Sequence, residues 1–188
     1  MLRVSVAAVA ALFVSTAASA AVTTLGGGHG RTCYEAAETK RDPKTGISVC
    51  TLALDTEAMN RRDRAATLIN RGIIHMRERN LAAAIADYDA ALRADGSIAE
   101  AYVNRGIALI HMGGRGREAI ADLSRGLAMN PSRPEVALYT RGVAHELAGD
   151  LRQAYEDYTA AAALKPDWED PAEQLKRFNV ERRRTARG

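Results

Sequence analysis

The stretch "LINRGIIHM" (residues 68–76) returns as "YVNRGIALIHM" (102–112) and as "YTRGVAHEL" (139–147). An Arg-Gly pair stands at the same place in each copy, so that Gly72, Gly106 and Gly142 follow one another at intervals of 34 and 36 residues. Glycine costs about 1 kcal/mol relative to alanine inside a helix, yet each pair lies within an apolar pattern of helical period. A fixed period of this length predicts a stacked array of helix pairs, in which the glycine has a packing role.

The second helix predicted in each unit carries a complementary pattern. These segments read "AAIADYDAAL" (83–92), "EAIADLSRGL" (118–127) and "QAYEDYTAAA" (153–162). A large residue follows a small one by four positions, another small one comes three later, and this spacing places all three on one helical face. We expect that face to pack against the glycine of the first helix. Its residues are Ala84, Tyr88 and Ala91, then Ala119, Leu123 and Gly126, then Ala154, Tyr158 and Ala161.

This pattern of Gly, Ala, aromatic or Leu, and Ala or Gly, closed by a Pro, resembles the tetratricopeptide repeat. Three repeats fall at residues 65–98, 99–134 and 135–168, although the first ends in Gly96 rather than Pro. The resemblance implies an all-α fold, an antiparallel helix-pair solenoid. Residues 32–60 are expected to form a helical cap or degenerate repeat, and residues 169–185 a C-terminal capping helix with a basic tail.

The arginine before each glycine departs from the family, which usually has an apolar residue there. Each unit also carries an aspartate 16 or 17 residues later. We expect each arginine to pair with an aspartate, within its unit or across the stacking contact, because a guanidinium can hold a carboxylate at two points. The alternative is a ladder of arginines that binds anions. The arginines are Arg71, Arg105 and Arg141, and the aspartates are Asp87, Asp122 and Asp157.

The first twenty residues have the composition of a secretory signal peptide. Arg3 precedes an apolar run at residues 4–14, and "ASA" ends at Ala20 in the small-x-small pattern of a signal-peptidase site. A membrane anchor is the alternative, but a run of about 11 residues is too short to cross a bilayer comfortably. We predict that residues 1–20 are a signal peptide, that residues 21–31 are a flexible lead-in, and that the chain is exported, periplasmic or secreted.

The two cysteines, Cys33 and Cys50, are expected to form a disulfide that ties the 32–60 cap together. An even number of cysteines in an exported protein favours this pairing. A metal site is the alternative, but two cysteines without a nearby histidine pair make a poor zinc site. The sequence therefore predicts no metal site.

No pattern in the sequence is typical of a catalytic centre. There is no HExxH, no Gly-rich phosphate loop and no G-x-S-x-G, and the cysteines are too far apart for a CxxC redox motif. His75 and His145 share one repeat position, with His111 two residues beyond it, and we interpret all three as core filling or helix-edge contacts. We expect a protein that is not an enzyme and has no cofactor.

The resemblance implies that function resides in a concave groove lined by the first helices, which in this family takes a peptide segment. Receptors that clamp a ligand's terminal carboxylate are disfavoured, because only Asn104 matches their charged and amide set. The alternative is that part of this stripe packs against the N-terminal cap or a second copy of the chain. The groove positions are Ile69, Asn70, Ile73 and Arg77, then Val103, Asn104, Ile107 and His111, then Tyr139, Thr140, Val143 and Leu147.

The charge of the chain is close to balanced. Its net charge is +3, and loss of Arg3 with the signal peptide leaves 25 basic against 23 acidic residues, or +2. Nucleic-acid binders are usually more basic, so no nucleic-acid partner is expected. The tail concentrates basic residues, which we interpret as a solvated end or, alternatively, as a weak contact with an anionic envelope surface. They are Lys176, Arg177, Arg182, Arg183, Arg184 and Arg187.

Together these features predict a non-enzymatic adaptor of the bacterial periplasm or cell envelope, with a protein or peptide as its partner. The alternative is a structural accessory subunit of an envelope complex that uses its outer surfaces. Self-association stays open, and the bacterial setting is implied by the habits of the family rather than by the signal peptide.

Overall fold

The structure, a computed structural model, describes residues 2–6, 20–23, 28–39 and 42–182, with the backbone alone for 2–6 and 179–182. Consecutive helices pack against one another along the chain as an all-α, antiparallel helix-pair solenoid. The three repeat units are formed by α3 (Arg61–Arg77) with α4 (Leu81–Ala94), α5 (Ala99–Met112) with α6 (Gly116–Ala128), and α7 (Pro134–Leu147) with α8 (Leu151–Leu164). The ends of the array carry α1 (His29–Glu38), α2 (Pro43–Thr56), α9 (Glu169–Leu175), and the strands β1 (Leu2–Val6) and β2 (Phe178–Arg182).

The repeated glycines lie where the two helices of each unit cross, as the sequence predicts. A Cβ atom on Gly72 would stand 2.6 Å from Cε1 of Tyr88, and one on Gly106 would stand 2.7 Å from Cγ of Leu123. Gly142 has the same relation to Tyr158, at 2.8 Å. Such distances are closer than real Cβ contacts. A side chain at any of these positions would therefore push the helices of its unit apart.

The cap at the N-terminal end is held by the predicted disulfide between Cys33 in α1 and Cys50 in α2. Both cysteines are fully buried. Closing a loop of this length contributes about 3 kcal/mol in the chain-entropy model. The α1–α2 pair packs on α3 as a repeat unit would, so residues 32–60 stand in the place of a preceding repeat.

Local contacts fix where the two helices of this cap begin. The Asp42 carboxylate accepts a hydrogen bond from the Thr45 backbone N–H, and Pro43 occupies the first turn of α2. The Glu57 carboxylate accepts from the backbone N–H groups of His29 and Gly30, which starts α1 within the expected lead-in.

The C-terminal helix is shorter than expected. α9 ends at Leu175 instead of continuing to residue 185, and residues 178–182 form β2, antiparallel to β1. Arg177 donates to Glu146 at 2.6 Å, and Phe178 is buried against the rings of Tyr155 and Tyr158. These contacts draw the chain onto α7 and α8, while Asn179 and Val180 have little helix propensity to oppose them.

The predicted signal peptide lies mostly outside the described residues. Of residues 1–20, only Leu2–Val6 and Ala20 are described, and Leu2–Val6 is the strand β1. Cleavage after Ala20 would remove β1, so the β1–β2 pairing belongs to the uncleaved chain. Among the helices of the described residues, none has the length and hydrophobicity needed to cross a membrane.

Candidate functional site

Nine of the twelve predicted groove positions are buried rather than open to solvent; only Arg77, His111 and Leu147 are not. In the first unit, α1 packs against α3. The Arg77 guanidinium donates to the backbone carbonyls of Ala36 and Ala37 at the end of α1. Cationic side chains often satisfy the last carbonyls of a helix in this way. Arg77 therefore has a structural partner in the N-terminal cap. In this unit, the predicted groove positions pack against the cap, which was the alternative to an open peptide-binding groove.

The third unit is covered by the C-terminal end of the array. The ring of Tyr139 lies 4.9 Å from that of Trp168 and 5.5 Å from that of Tyr158, measured between centroids. Thr140 donates to the Val136 carbonyl of its own helix. Leu147 is 60% exposed. Trp168 therefore packs on Tyr139 at this end of the array.

Residues 20–23, most of them in the predicted flexible lead-in, lie against the second unit and its junction with the first. The backbone N–H of Val22 donates to Oδ1 of Asn70 at 2.9 Å, and Nδ2 of Asn70 donates to the Val22 carbonyl at 2.8 Å. Nδ2 of Asn104 donates to the Ala20 carbonyl at 3.3 Å. The lead-in expectation is therefore wrong for residues 21–23; residues 24–27 lie outside the described residues. Nothing in the composition of this segment signals the contact.

Beside Ala20 the structure has a small crevice that is partly open to solvent. Its wall is built from α5 and from the chain that leads into α7. The Glu100 carboxylate accepts from the Ser132 backbone N–H at 3.0 Å, which holds that chain against α5. The residues that line the crevice are Ala20, Glu100, Val103, Asn104, Ile107, Pro131, Ser132, Arg133 and Val136.

The arginines of the Arg-Gly pairs form the ion pairs that the sequence predicts, within their own units. Nε and Nη2 of Arg71 donate to the two carboxylate oxygens of Asp87 at 2.9 and 2.6 Å. Arg105 with Asp122, and Arg141 with Asp157, repeat this two-point geometry at 2.7–2.8 Å. The carboxylate raises the pKa of each guanidinium further above its usual value.

Each of these arginines also contacts the second helix of the preceding unit, so that contacts within the unit and across the stacking contact are both present. Nη1 of Arg71 donates to Thr51 in α2, Nη1 of Arg105 to Asp89 in α4, and Nη1 of Arg141 to Ser124 in α6. The sequence carries a sign of these contacts in two units, where a polar residue, Asp89 or Ser124, stands two positions after the paired aspartate. Because Nε, Nη1 and Nη2 of each arginine donate to protein groups, each guanidinium bridges three helices. These contacts favour the predicted Arg–Asp pairing over a ladder of arginines that binds anions.

Two of the three histidines lie near a carboxylate. Nε2 of His75 is 3.9 Å from the Asp87 carboxylate, and burial lowers the pKa of His75 against the opposing effect of Asp87. Burial also lowers the pKa of His111, assisted by the charge of Arg79. Nδ1 of His145 is 3.7 Å from Asp150. Within the described part of the chain, no three His, Cys, Asp or Glu side chains are grouped as a metal site would require.

The lowered pKa values predict a pH-dependent loss of stability. A histidine with a pKa below its unfolded value of about 6.5 binds its proton less readily when folded, so stability is lost as the pH falls below that value. We expect the free energy of unfolding to fall between about pH 7.5 and pH 5, a range in which histidine titrates, and to fall less in a His75→Gln/His111→Gln chain. Urea denaturation at both pH values measures this, with the exposed His29→Gln as the control. An equal drop in the double variant and the wild type would contradict it.

Comparison with solved structures shows similar helix packing in other proteins. The chain is similar to the crystal structure of MamA, with 23% identity and a TM-score of 0.66, over 80% of this chain and 82% of that one. It is also similar to the second TPR of Spaghetti (RPAP3) bound to HSP90 peptide SRMEEVD, with 25% identity and a TM-score of 0.52, over 55% of this chain and 94% of that one. A third similar structure is the Arabidopsis OM64 TPR domain, with 20% identity and a TM-score of 0.59, over 62% of this chain and 95% of that one. No family model and no curated protein matches the chain.

Proposed function

Because the chain is a tetratricopeptide-repeat protein by its fold, we propose that it is a non-enzymatic adaptor that binds a peptide segment on the groove surface. By groove surface we mean the face formed by Asn70, Val103, Asn104, Ile107 and the crevice beside them. This set is narrower than the twelve positions predicted from the sequence, because it keeps only those beside residues 20–22 and the crevice. TPR neighbours solved with HSP90 and HSP70 peptides support a peptide as the class of partner.

The observation that carries the proposal is the contact between Asn70 and Val22. A carboxamide offers one acceptor and two donor hydrogens, so it can pair with the N–H and the C=O of one peptide residue. Asn70 does this with both atoms at normal hydrogen-bond distances. The groove surface therefore has the chemistry to hold a peptide backbone, with apolar side chains of α5 beside it to bury a small residue.

The setting that we propose is the bacterial periplasm or cell envelope. The signal-peptide composition of residues 1–20 supports export, and the disulfide between buried Cys33 and Cys50 is compatible with an oxidising compartment. N-terminal sequencing of the exported chain tests the cleavage, which should leave Ala21 as the first residue. The basic tail adds a proposed weak contact with anionic surfaces; of its six basic residues, Lys176 pairs with Glu173 and Arg177 with Glu146.

The alternative, a structural subunit that uses its outer surfaces, is favoured by a different observation. Several large apolar side chains outside the groove surface are exposed, among them Leu164 at the end of α8, which is 57% exposed. Exposed apolar groups at interfaces can bury surface in a complex. The two proposals differ in where a partner touches the chain.

Site-specific photocrosslinking separates the two. A photoreactive residue at Ser132, which is exposed beside the crevice, is expected to crosslink a partner in exporting cells, whereas the same residue at Leu164 is not. Adding Asn104→Ala should weaken the Ser132 crosslink, because it removes the donor that contacts Ala20. Crosslinking at Leu164 alone would support the structural subunit, and no crosslink at either position would contradict both.

A further inference from the structure

The segment Ala20–Thr23 lies on the groove surface as a bound peptide would. Ala21 and Val22 are half-buried against the core, and Val22 shares both of its backbone hydrogen-bonding groups with Asn70, a fully buried side chain. A buried carboxamide left without hydrogen-bond partners would destabilise the fold. In this structure the chain itself supplies the peptide group that satisfies Asn70.

On the side of Val22, the hydrogen bonds with Asn70 involve only backbone atoms. Any residue other than proline offers the same N–H and C=O groups, so these bonds do not select a sequence. Selection is left to the side chain of Val22, which packs in an apolar environment. A peptide from another protein with a small apolar residue at this place could make the same contacts.

The contact at Asn104 is incomplete by comparison. Asn104 stands at the repeat position of Asn70 in the next unit, and its Nδ2 reaches the Ala20 carbonyl at 3.3 Å. Its Oδ1 is buried and has no hydrogen-bond partner among the described residues. The segment thus satisfies one asparagine fully and the other by half. A peptide that also offers an N–H to Asn104 would gain a hydrogen bond that the chain's own segment does not make.

We propose that Ala20–Thr23 is a built-in ligand of the groove surface, which a partner peptide must displace in order to bind. The inference rests on the proposed function, since it specifies what occupies the groove before a partner arrives. The predicted cleavage after Ala20 leaves the hydrogen bonds of Val22 with Asn70 in place but removes the Ala20 carbonyl from Asn104. Asn104 and the crevice then become the first contacts open to an incoming peptide.

Displacement is tested with a probe that copies the segment, the peptide N-acetyl-AAVTTL-amide labelled with a fluorophore. The variant Val22→Pro in the mature chain removes the backbone N–H that donates a hydrogen bond to Oδ1 of Asn70. A tethered ligand competes at an effective concentration on the order of mM, so we expect the probe to bind Val22→Pro about tenfold more tightly than the wild type. Thr23→Ala, a change at an exposed neighbour, is the matched control and should bind like the wild type.

Two further measurements report on the groove itself. The amide resonance of Val22 should shift when the probe is added to the wild type, because the segment leaves Asn70. Asn70→Ala should abolish probe binding. Thr140→Val, at the same repeat position in the third unit, should leave binding unchanged, because the Thr140 hydroxyl donates to the Val136 carbonyl of its own helix.

The outcomes distinguish the two proposals. Equal binding of the probe to the wild type and to Val22→Pro, with the Val22 amide unmoved, would overturn the built-in ligand and leave the groove function intact. Absence of binding to both chains would overturn the groove function together with the inference.

Discussion

A Gly106→Val chain is expected to lose at least about 4 kcal/mol of unfolding free energy, more than the roughly 1–3 kcal/mol typical of overpacked cores. Its Cβ would lie 2.7 Å from Cγ of Leu123 and 3.3 Å from the Ala119 carbonyl oxygen. The carbonyl belongs to the backbone of α6 and cannot move aside by a change of rotamer, so α5 and α6 must separate. Urea denaturation followed by circular dichroism measures the loss.

The matched control for this substitution is Gly116→Val. Gly116 is the first residue of α6, and the nearest atom to a Cβ built there is the Ala144 carbonyl oxygen at 4.0 Å. We expect little change in stability.

A second test uses Gly106→Ala. Its loss of unfolding free energy should be smaller when Leu123→Ala is added, because residues 106 and 123 are in contact and their effects are coupled. Equal effects of Val at positions 106 and 116 would contradict the packing role of the repeated glycine.

An Arg71→Met chain is expected to lose about 3 kcal/mol or more, because removing one partner of a buried ion pair leaves an uncompensated charge. The side chain of Asp87 is only 8% exposed, and methionine keeps the apolar stem while it removes all three donors. Thr51 loses its partner as well. The change in the urea midpoint at constant slope measures the effect.

Two companion variants test the cause of that loss. Arg71→Met with Asp87→Leu should recover much of the stability, because it removes the stranded carboxylate. Arg115→Met removes an exposed pair with Glu118 and should leave the midpoint unchanged. An unchanged midpoint in Arg71→Met itself would favour the alternative in which the arginines bind an anion.

Much of the array could be predicted because its determinants repeat. Gly72 faces Tyr88 for the same reason that Gly142 faces Tyr158, and one rule of helical spacing describes both. Arg71 and Asp87 were paired from their constant separation in the same way. The prediction failed at the ends, where no repeat constrains the chain: Phe178 is drawn onto α8 instead of extending α9, and Glu57 starts α1 at His29.

The candidate site was predicted in part. Asn70 and Asn104 were placed on the groove face by their repeat position, and their side chains do meet a peptide backbone there. Arg77 and Tyr139 were placed on it by the same rule, but neighbouring elements cover or engage them. The rule gives the direction of a side chain from its own helix and says nothing of which other segment arrives to cover it.

By itself the sequence determined the helix pairs, their glycine crossings and the ion pairs within each unit, because these depend on separations of at most 17 residues within a regular period. Only the tertiary structure decided that the backbone of Val22 contacts Asn70, since the two residues lie 48 positions apart. Contacts over such distances depend on which surface remains unburied after the helices have stacked, and no local pattern carries that information.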